Sequence, residues 1–373
     1  MILSQLEWIL LGVFAGATII QLVYYWFIFG RLAFYNPTKE MNDSNPPISI
    51  VIVARNEYHN LSKNLPLILE QSYTDFEVVV VNHMSDDETK DLLNDLKIQY
   101  EKLKVVHITQ DLNFFKGKKF PLSLGIKSAK NDIVLLTDAD CTPNSEKWIQ
   151  SMARNYMPGI QVVLGYGPYK VKKGFMNLLV RYDTFIVAMQ YLSYALAGMT
   201  YMGVGRNLSY TRNLFFASGG FTSHYKISSG DDDLLIGHIA KKRNTRIEVS
   251  PESFIYSEPK TTFREWAKQK QRHLTTSKFY KGKFKLLLGA FSATQLLFFA
   301  AFIFLLLFSD AYYIIAGIFA IRFITQLIVQ KKVMNLLEEK HLLIISLLLE
   351  VIYMLIMPII SFKSIFLKSV QWK

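Results

Sequence analysis

Four long apolar runs constrain this 373-residue chain more than any other feature. Trp8–Phe29, Leu286–Phe308, Ala311–Val329 and Leu342–Ile360 each come close to the roughly 20 residues that a helix needs to cross a bilayer. The composition agrees, with 51% hydrophobic and only 19% charged residues. The first run is interrupted only by Gln21 and small residues, and it lacks a basic leader and an A-x-A-like cleavage site. It therefore reads as a retained anchor, not a removable signal peptide. Glu7 precedes it while Arg31 and Lys39 follow. By the positive-inside rule, the chain after Phe29 lies in the cytoplasm, as part of a multi-pass protein of the cell membrane. Only Ser309-Asp310 separates the second run from the third, which predicts a helical hairpin, and the charged stretch Lys331–His341 leads into the fourth.

Two charges stand inside these runs. Arg322 lies eight residues before Gln330 and Glu350 eight after Leu342. At roughly 1.5 Å per residue, both sit about 12 Å from the same face. A charge near the bilayer centre costs at least about 2.5–3.5 kcal/mol, so an ion pair between them is expected. The alternative is an Arg322 that snorkels to the surface beside a protonated Glu350. Four spans leave Lys363, Lys368 and Lys373 outside, against the positive-inside rule, and a re-entrant last segment would separate the pair.

After a Pro- and Asn-rich linker, Asn36–Pro47, apolar strands alternate with helices. Ile48–Ala54 (ISIVIVA) and Phe76–Val81 (FEVVVV) read as strands buried on both faces, Val105–Ile108 as a short third and Asp132–Thr137 as a fourth. Helices are expected over Leu61–Leu69 and about Glu88–Leu96. Such alternation predicts an α/β fold with a mostly parallel sheet. Gly165–Val171 is expected to add a strand. The aromatic stretch Phe175–Met202, broken by Arg181 and Asp183, is expected to lie partly at a membrane interface. No G-x-G-x-x-G follows the first strand and no Walker sequence is present, so dinucleotide-binding and NTPase readings lose their main support. The one cysteine, Cys141, excludes an internal disulfide, fits a reducing compartment and is expected to be a small packing residue.

The fourth strand runs out on Asp138-Ala139-Asp140. Side chains at i and i+2 leave an extended chain on the same side. The two carboxylates can therefore converge on a hard cation such as Mg²⁺ or Mn²⁺, at the strand ends where open α/β sheets bind ligands. Taken alone, such a pair is more often a solvated turn. Lys116, Lys118 and Lys119 around Gly117 form a loop that could approach phosphates, with a merely solvated loop equally open. Gly203–Tyr210 (GVGRNLSY) reads as a backbone-lined ligand loop. Asp231-Asp232-Asp233, before the apolar helix Leu234–Ile239, exceed what capping needs, because like charges repel. From Lys260 to Lys285, nine Lys/Arg face one acid, Glu265, among Phe263, Trp266, Phe279, Tyr280 and Phe284. Just before a membrane run, this tract predicts an interfacial helix on an anionic leaflet and not a nucleic-acid surface.

In chain order, SIVIVARNE, FEVVVVN, SDDET, GKKFPLSLG, LLTDADC, GVGRNLSYTRN with a later GGF, GDDDLL and QKQRH resemble the motifs of family 2 glycosyltransferases with the GT-A fold. The likeness is to the membrane-anchored branch that includes ceramide glucosyltransferase and, more distantly, cellulose synthase. It spans about Ile48 to His273 and implies a nucleotide-sugar-binding domain. By this resemblance Asp138 and Asp140 are the metal–diphosphate pair; Arg55, Asn56, Glu57, Asn82 and Lys118 line the donor. Asp232 matches the base that deprotonates the acceptor, with Asp231 as the candidate one residue out of register. Gln269 and Arg272 match the donor-facing part of a Q-x-x-R-W element. His273 stands where that element's tryptophan borders the acceptor, and Asn207 falls on the acceptor side. Asn82-His83-Met84 replace the two Asp and a Gly that often recognise the base, so the nucleotide stays open.

The implied activity is inverting transfer of a sugar from a nucleotide-diphosphate donor to a hydroxyl of a lipid or other membrane-embedded acceptor, with Mg²⁺ or Mn²⁺ as cofactor. The membrane is the expected partner and nucleic acid is not. One alternative acceptor is a polyprenyl phosphate, already anionic and less in need of a base. Another reading is a catalytically silent membrane scaffold. The expected domains are an anchor at 1–30, a cytoplasmic catalytic domain at 46–258, a basic interfacial segment at 259–285 and a membrane region at 286–363.

Overall fold

The computed structural model describes residues 4–37, 45–110, 117–227 and 229–365; Lys39, Lys116, Lys368 and Lys373 lie outside the described residues. Ser4 and Glu7 cap each other's backbone N–H groups at the start of α1 (Gln5–Val23). A π-helical turn, Tyr24–Phe29, passes into α2 (Gly30–Ala33). There follow β1 (Ile48–Ala54), α3 (Tyr58–Leu69), β2 (Phe76–His83), α4 (Thr89–Gln99), β3 (Leu103–Ile108), α5 (Lys119–Ser128) and β4 (Ile133–Asp138). Next come β5 (Cys141–Pro143), α6 (Trp148–Ala153), β6 (Val162–Leu164), α7 (Phe175–Leu196), β7 (Leu208–Thr211) and α8 (Arg212–Ala217). Then α9 (Asp233–Ile239), β8 (Thr245–Ile247), β9 (Ile255–Ser257) and α10 (Phe263–Ser277) precede α11 (Gly282–Phe308), α12 (Tyr312–Leu336) and α13 (Ser346–Ile365). Two compact units result: Pro37–Phe279 with Ile360–Lys373, and Met1–Asn36 with Tyr280–Ile359.

The larger unit is built on a seven-stranded sheet in the order β3-β2-β1-β4-β7-β6-β8. β3, β2, β1 and β4 run parallel, and β7 is antiparallel to both β4 and β6. All seven residues of β1 are buried, as a strand covered on both faces requires. Gly125 of α5 lets that helix approach the sheet closely, for a Cβ there would lie 2.5 Å from Val51 Cγ1. Register sets Val53 opposite Asp138 and Ala54 opposite Asn82. The carboxyl ends of the parallel strands thus finish level, at one edge.

Three expectations change here. The strand expected at Gly165–Val171 lies earlier, at Val162–Leu164; Gly165, Gly167 and Pro168 follow it, and only Tyr169 returns, as an isolated bridge to Ser257. The stretch expected at a membrane interface is α7, which is largely buried in this unit, with Arg181 and Asp183 each 2% exposed. Asp183 accepts a hydrogen bond from Trp266 Nε1 at 3.0 Å and pairs with Lys270 Nζ at 2.6 Å, so the apparent breakers are buried polar anchors. Third, the basic tract is not a single segment after residue 258. Its α10 belongs to the larger unit, where Trp266 is 1% exposed, and α11 begins only at Gly282.

The smaller unit contributes α1–α2, α11 and α12 and most of α13, which among the described residues are the four helices long and apolar enough to cross a membrane. Phe14 of α1 stacks on Phe298 of α11 with centroids 4.9 Å apart. The expected ion pair is present: Arg322 Nη2 lies 2.5 Å from Glu350 Oε1, with the side chains 1% and 2% exposed. Gln295 and Gln326 donate to Glu350 at 2.6 and 2.8 Å, and Arg322 reaches Gln21 Oε1 at 3.4 Å. The guanidinium also lies 4.8 Å from the centroid of the Phe298 ring. A snorkelling Arg322 is excluded by this geometry.

Candidate active site

The end of β4 carries Asp138, and Asp140 follows two residues on, after Ala139. One ligand atom each from Asp138, Asp140 and Cys141 lie within 4.8 Å of one another. Lys118, just before α5, donates to Asp138 Oδ1. Burial would raise Asp138, but Lys118, followed by Arg206 and Arg272, holds it below its ordinary value. Asp140 is raised by burial and by the charge of Asp138. Burial, with the two carboxylates, pushes the Cys141 thiol up to about 12, and its Sγ sits 3.1 Å from Ser257 Oγ. Cys141 therefore stays a neutral packing residue, leaving two hard oxygen donors. The Lys118 ammonium rests on Asp138 and offsets part of its charge, while no lysine contact is seen on Asp140 among the described residues. These residues fit Mg²⁺ or Mn²⁺ bound together with an anionic diphosphate.

Along the same edge, the segments after β1 and β2 interlock. Asn56 is left-handed (φ 55°), a conformation that Asn tolerates. Its N–H donates to Ser85 Oγ at 3.0 Å and its carbonyl accepts from Asp86 N at 2.8 Å. Glu57 N donates to Thr89 Oγ1 at 3.0 Å. Asn56 thus spends its side-chain carbonyl on shaping the loop, beside a half-buried Arg55. Asn82 Nδ2 is 3.4 Å from His107 Nδ1, and its Oδ1 is buried without a partner among the described residues.

The acidic cluster divides its labour. Gly230 has φ 92°, and a Cβ there would lie 2.6 Å from Leu234 Cδ1, so only glycine makes this entry into α9. Asp233 is buried, accepting from Leu234 N and from the Thr276 hydroxyl of α10. Asp232 accepts from Gly205 N at 2.9 Å and Asp233 N at 2.7 Å. Burial, then the charges of Asp231 and Asp233, raise Asp232 to about 7. Lys118 joins the two acidic groups: burial opposes its charge, but Asp138 and then Asp231 hold its ammonium protonated.

From α10, Gln269 Nε2 donates to the Tyr169 hydroxyl at 3.0 Å, and the Arg206 guanidinium lies 4.4 Å over the Tyr169 ring. His273 is exposed on that helix and Arg272 half-buried. Asn207 corrects the acceptor-side expectation. It is fully buried, donates to Tyr166 O and Ser253 O at 2.9 and 2.8 Å, and accepts from Trp148 Nε1 at 3.0 Å. Its amide ties core segments together and does not face a substrate. Arg206, one residue earlier, is the member of that loop whose charge reaches Asp138 and Asp140. A lone cation amid glycines was the available signal for it; Tyr169 offered none.

Residues 49–215 match the family described as Glycosyl transferase family 2, and residues 133–361 match Glycosyl transferase family group 2. The Bacillus subtilis protein named Probable glycosyltransferase YdaM is 24% identical over 249 residues, 64% of this chain and 57% of its own. Beta-monoglucosyldiacylglycerol synthase of Trichormus variabilis is 31% identical over 122 residues, 32% of this chain and 25% of its own. The chain thus spans less than two thirds of either relative. The mannosyltransferase PcManGT from Pyrobaculum calidifontis, solved with GDP-Man and Mn²⁺, shares the fold at a TM-score of 0.58 and 20% identity, over 94% of this chain and 99% of that one. The narrower likeness to ceramide glucosyltransferase rests on the sequence motifs alone. A GT-A sheet with a D-x-D at its parallel edge, matched by family models that together run from residue 49 to 361, places the chain in the family 2 glycosyltransferases.

Proposed function

We propose that this glycosyltransferase moves a sugar, with inversion, from a nucleotide diphosphate to a hydroxyl of a lipid acceptor at the cytoplasmic face of the cell membrane. The observation that carries the reading is Lys118, whose ammonium sits on Asp138 of the D-x-D and also interacts with Asp231 and Asp232 of the acidic cluster. A leaving diphosphate and an attacking hydroxyl need those two kinds of group, close together. Asp138 and Asp140 would hold the divalent cation, and charge neutralisation of the departing diphosphate is the chemistry it supplies when bound. Lys118, Arg206 and Arg272 add fixed positive charge on that side. Asp232 takes the acceptor proton as the acceptor oxygen bonds to C1 and the C1–diphosphate bond breaks. Attack opposite the leaving group inverts C1.

The relative named for monoglucosyldiacylglycerol supports a lipid acceptor, and the neighbour solved with GDP-Man and Mn²⁺ supports a metal-bound nucleotide sugar. Arg31, Lys331 and Lys332 support the cytoplasmic side. The test supplies purified protein with Mn²⁺, labelled UDP- or GDP-sugars and a bacterial lipid extract. Label should pass into the organic phase with one donor. Release of free sugar alone, with every donor, would contradict a lipid acceptor.

A further inference from the structure

Lys119, next to the lysine on Asp138, is 3% exposed and points the other way. Its Nζ donates to three carbonyls of one segment, His224 O, Ile227 O and Ser229 O, each at 2.7 Å. An ammonium has three donors, so all are used. That segment ends on Gly230, directly before Asp231 and Asp232. Two consecutive lysines at the start of α5 thus hold opposite halves of the site.

We propose that Lys119 is a positioning residue for sugar transfer, clamping the segment that delivers the acidic cluster and supplying positive charge beside Asp232. This rests on Asp232 being the base. Loop clamping alone could be done by neutral donors, whereas a buried charge is costly. Burial pulls Lys119 down to about 8, against the opposing charges of Asp231, Asp233 and Asp232, so it stays mainly cationic at neutral pH. Among the described residues, the groups that face Asp232 are Asp231 and Asp233 on its own segment, Lys118 just before α5, Lys119 of α5, and Tyr210 from β7. Burial and Lys119 hold the neighbouring His224 down at about 4, which leaves it neutral. Among the described residues, Lys118 and Lys119 are the cations set against these carboxylates, and Lys118 is shared with Asp138.

The test is the pH profile of kcat for the full-length protein and for Lys119→Met, Lys119→Gln and Asp232→Asn. Removing the nearby cation should move the acid limb upward by about one pH unit, so that kcat at pH 6 falls about tenfold beyond the wild-type loss. The deficit should close at high pH, with the donor KM unchanged. Lys119→Gln keeps hydrogen-bond donors without charge and should shift likewise, which provides the reading if Lys119→Met does not fold. A pH-independent loss, or an unmoved profile, in the folded neutral variants would overturn the proposal. If Asp232→Asn keeps both rate and profile, the base assignment fails instead.

Discussion

Asp232→Asn should lower kcat about 100- to 10,000-fold, the usual contribution of a general base, while nucleotide-sugar binding persists. Asparagine keeps the size of the side chain, and its carbonyl can still accept from Gly205 N or Asp233 N. What it loses is the ability to take a proton. Because Asp232 is raised to about 7, the wild-type rate should rise with pH up to about that point and then level off. Below it, the base is increasingly protonated and the rate falls about tenfold per pH unit. An acceptor that is already a phosphate has no proton to give. Asp232→Asn active on a polyprenyl phosphate but dead on a lipid alcohol would therefore favour the phosphate acceptor.

The second large effect concerns folding. Arg322 and Glu350 are buried together among Gln21, Gln295 and Gln326, and either charge without the other has no water to retreat to. Arg322→Glu or Glu350→Arg places two like charges side by side. Breaking a buried pair costs roughly 3–5 kcal/mol, a large share of most proteins' stability. Each single variant should therefore give little folded protein in a detergent-extracted yield assay. The double swap should recover much of it, since the three glutamine amides can turn to offer either N–H or C=O. Losses that simply add in the double variant would show that the two side chains do not depend on each other.

The pair was legible in the sequence because depth along a membrane helix follows from residue count alone. The parallel strands were legible for a related reason: burial on both faces turns ISIVIVA and FEVVVV into unbroken apolar runs. β7 was not, because the four residues LSYT are too few to establish a period and sit in what reads as a glycine loop. In α7, Arg181 and Asp183 looked like interruptions of an interfacial stretch. Their burial depends on partners such as Lys270, which lies 87 residues after Asp183 in sequence, and no local pattern reveals that. Asn207 misled in the opposite direction, since a polar residue in a ligand-like loop reads the same whether its amide faces substrate or is consumed by Tyr166, Ser253 and Trp148. Lys119 was read with its neighbours as a loop either approaching phosphates or merely solvated, while its three acceptors lie more than a hundred residues away.

The most direct measurement is thermal unfolding of the purified protein with a panel of UDP- and GDP-sugars, each with Mn²⁺, with Mg²⁺ or with EDTA. One donor should raise Tm only when a divalent metal is present, by mass action worth about 2.7 kcal/mol at a hundredfold excess over Kd. Asp140→Ala should abolish that shift while unfolding normally without ligand. Stabilisation that survives EDTA, that persists undiminished in Asp140→Ala, or that no nucleotide diphosphate produces would contradict a metal-dependent donor site at Asp138 and Asp140.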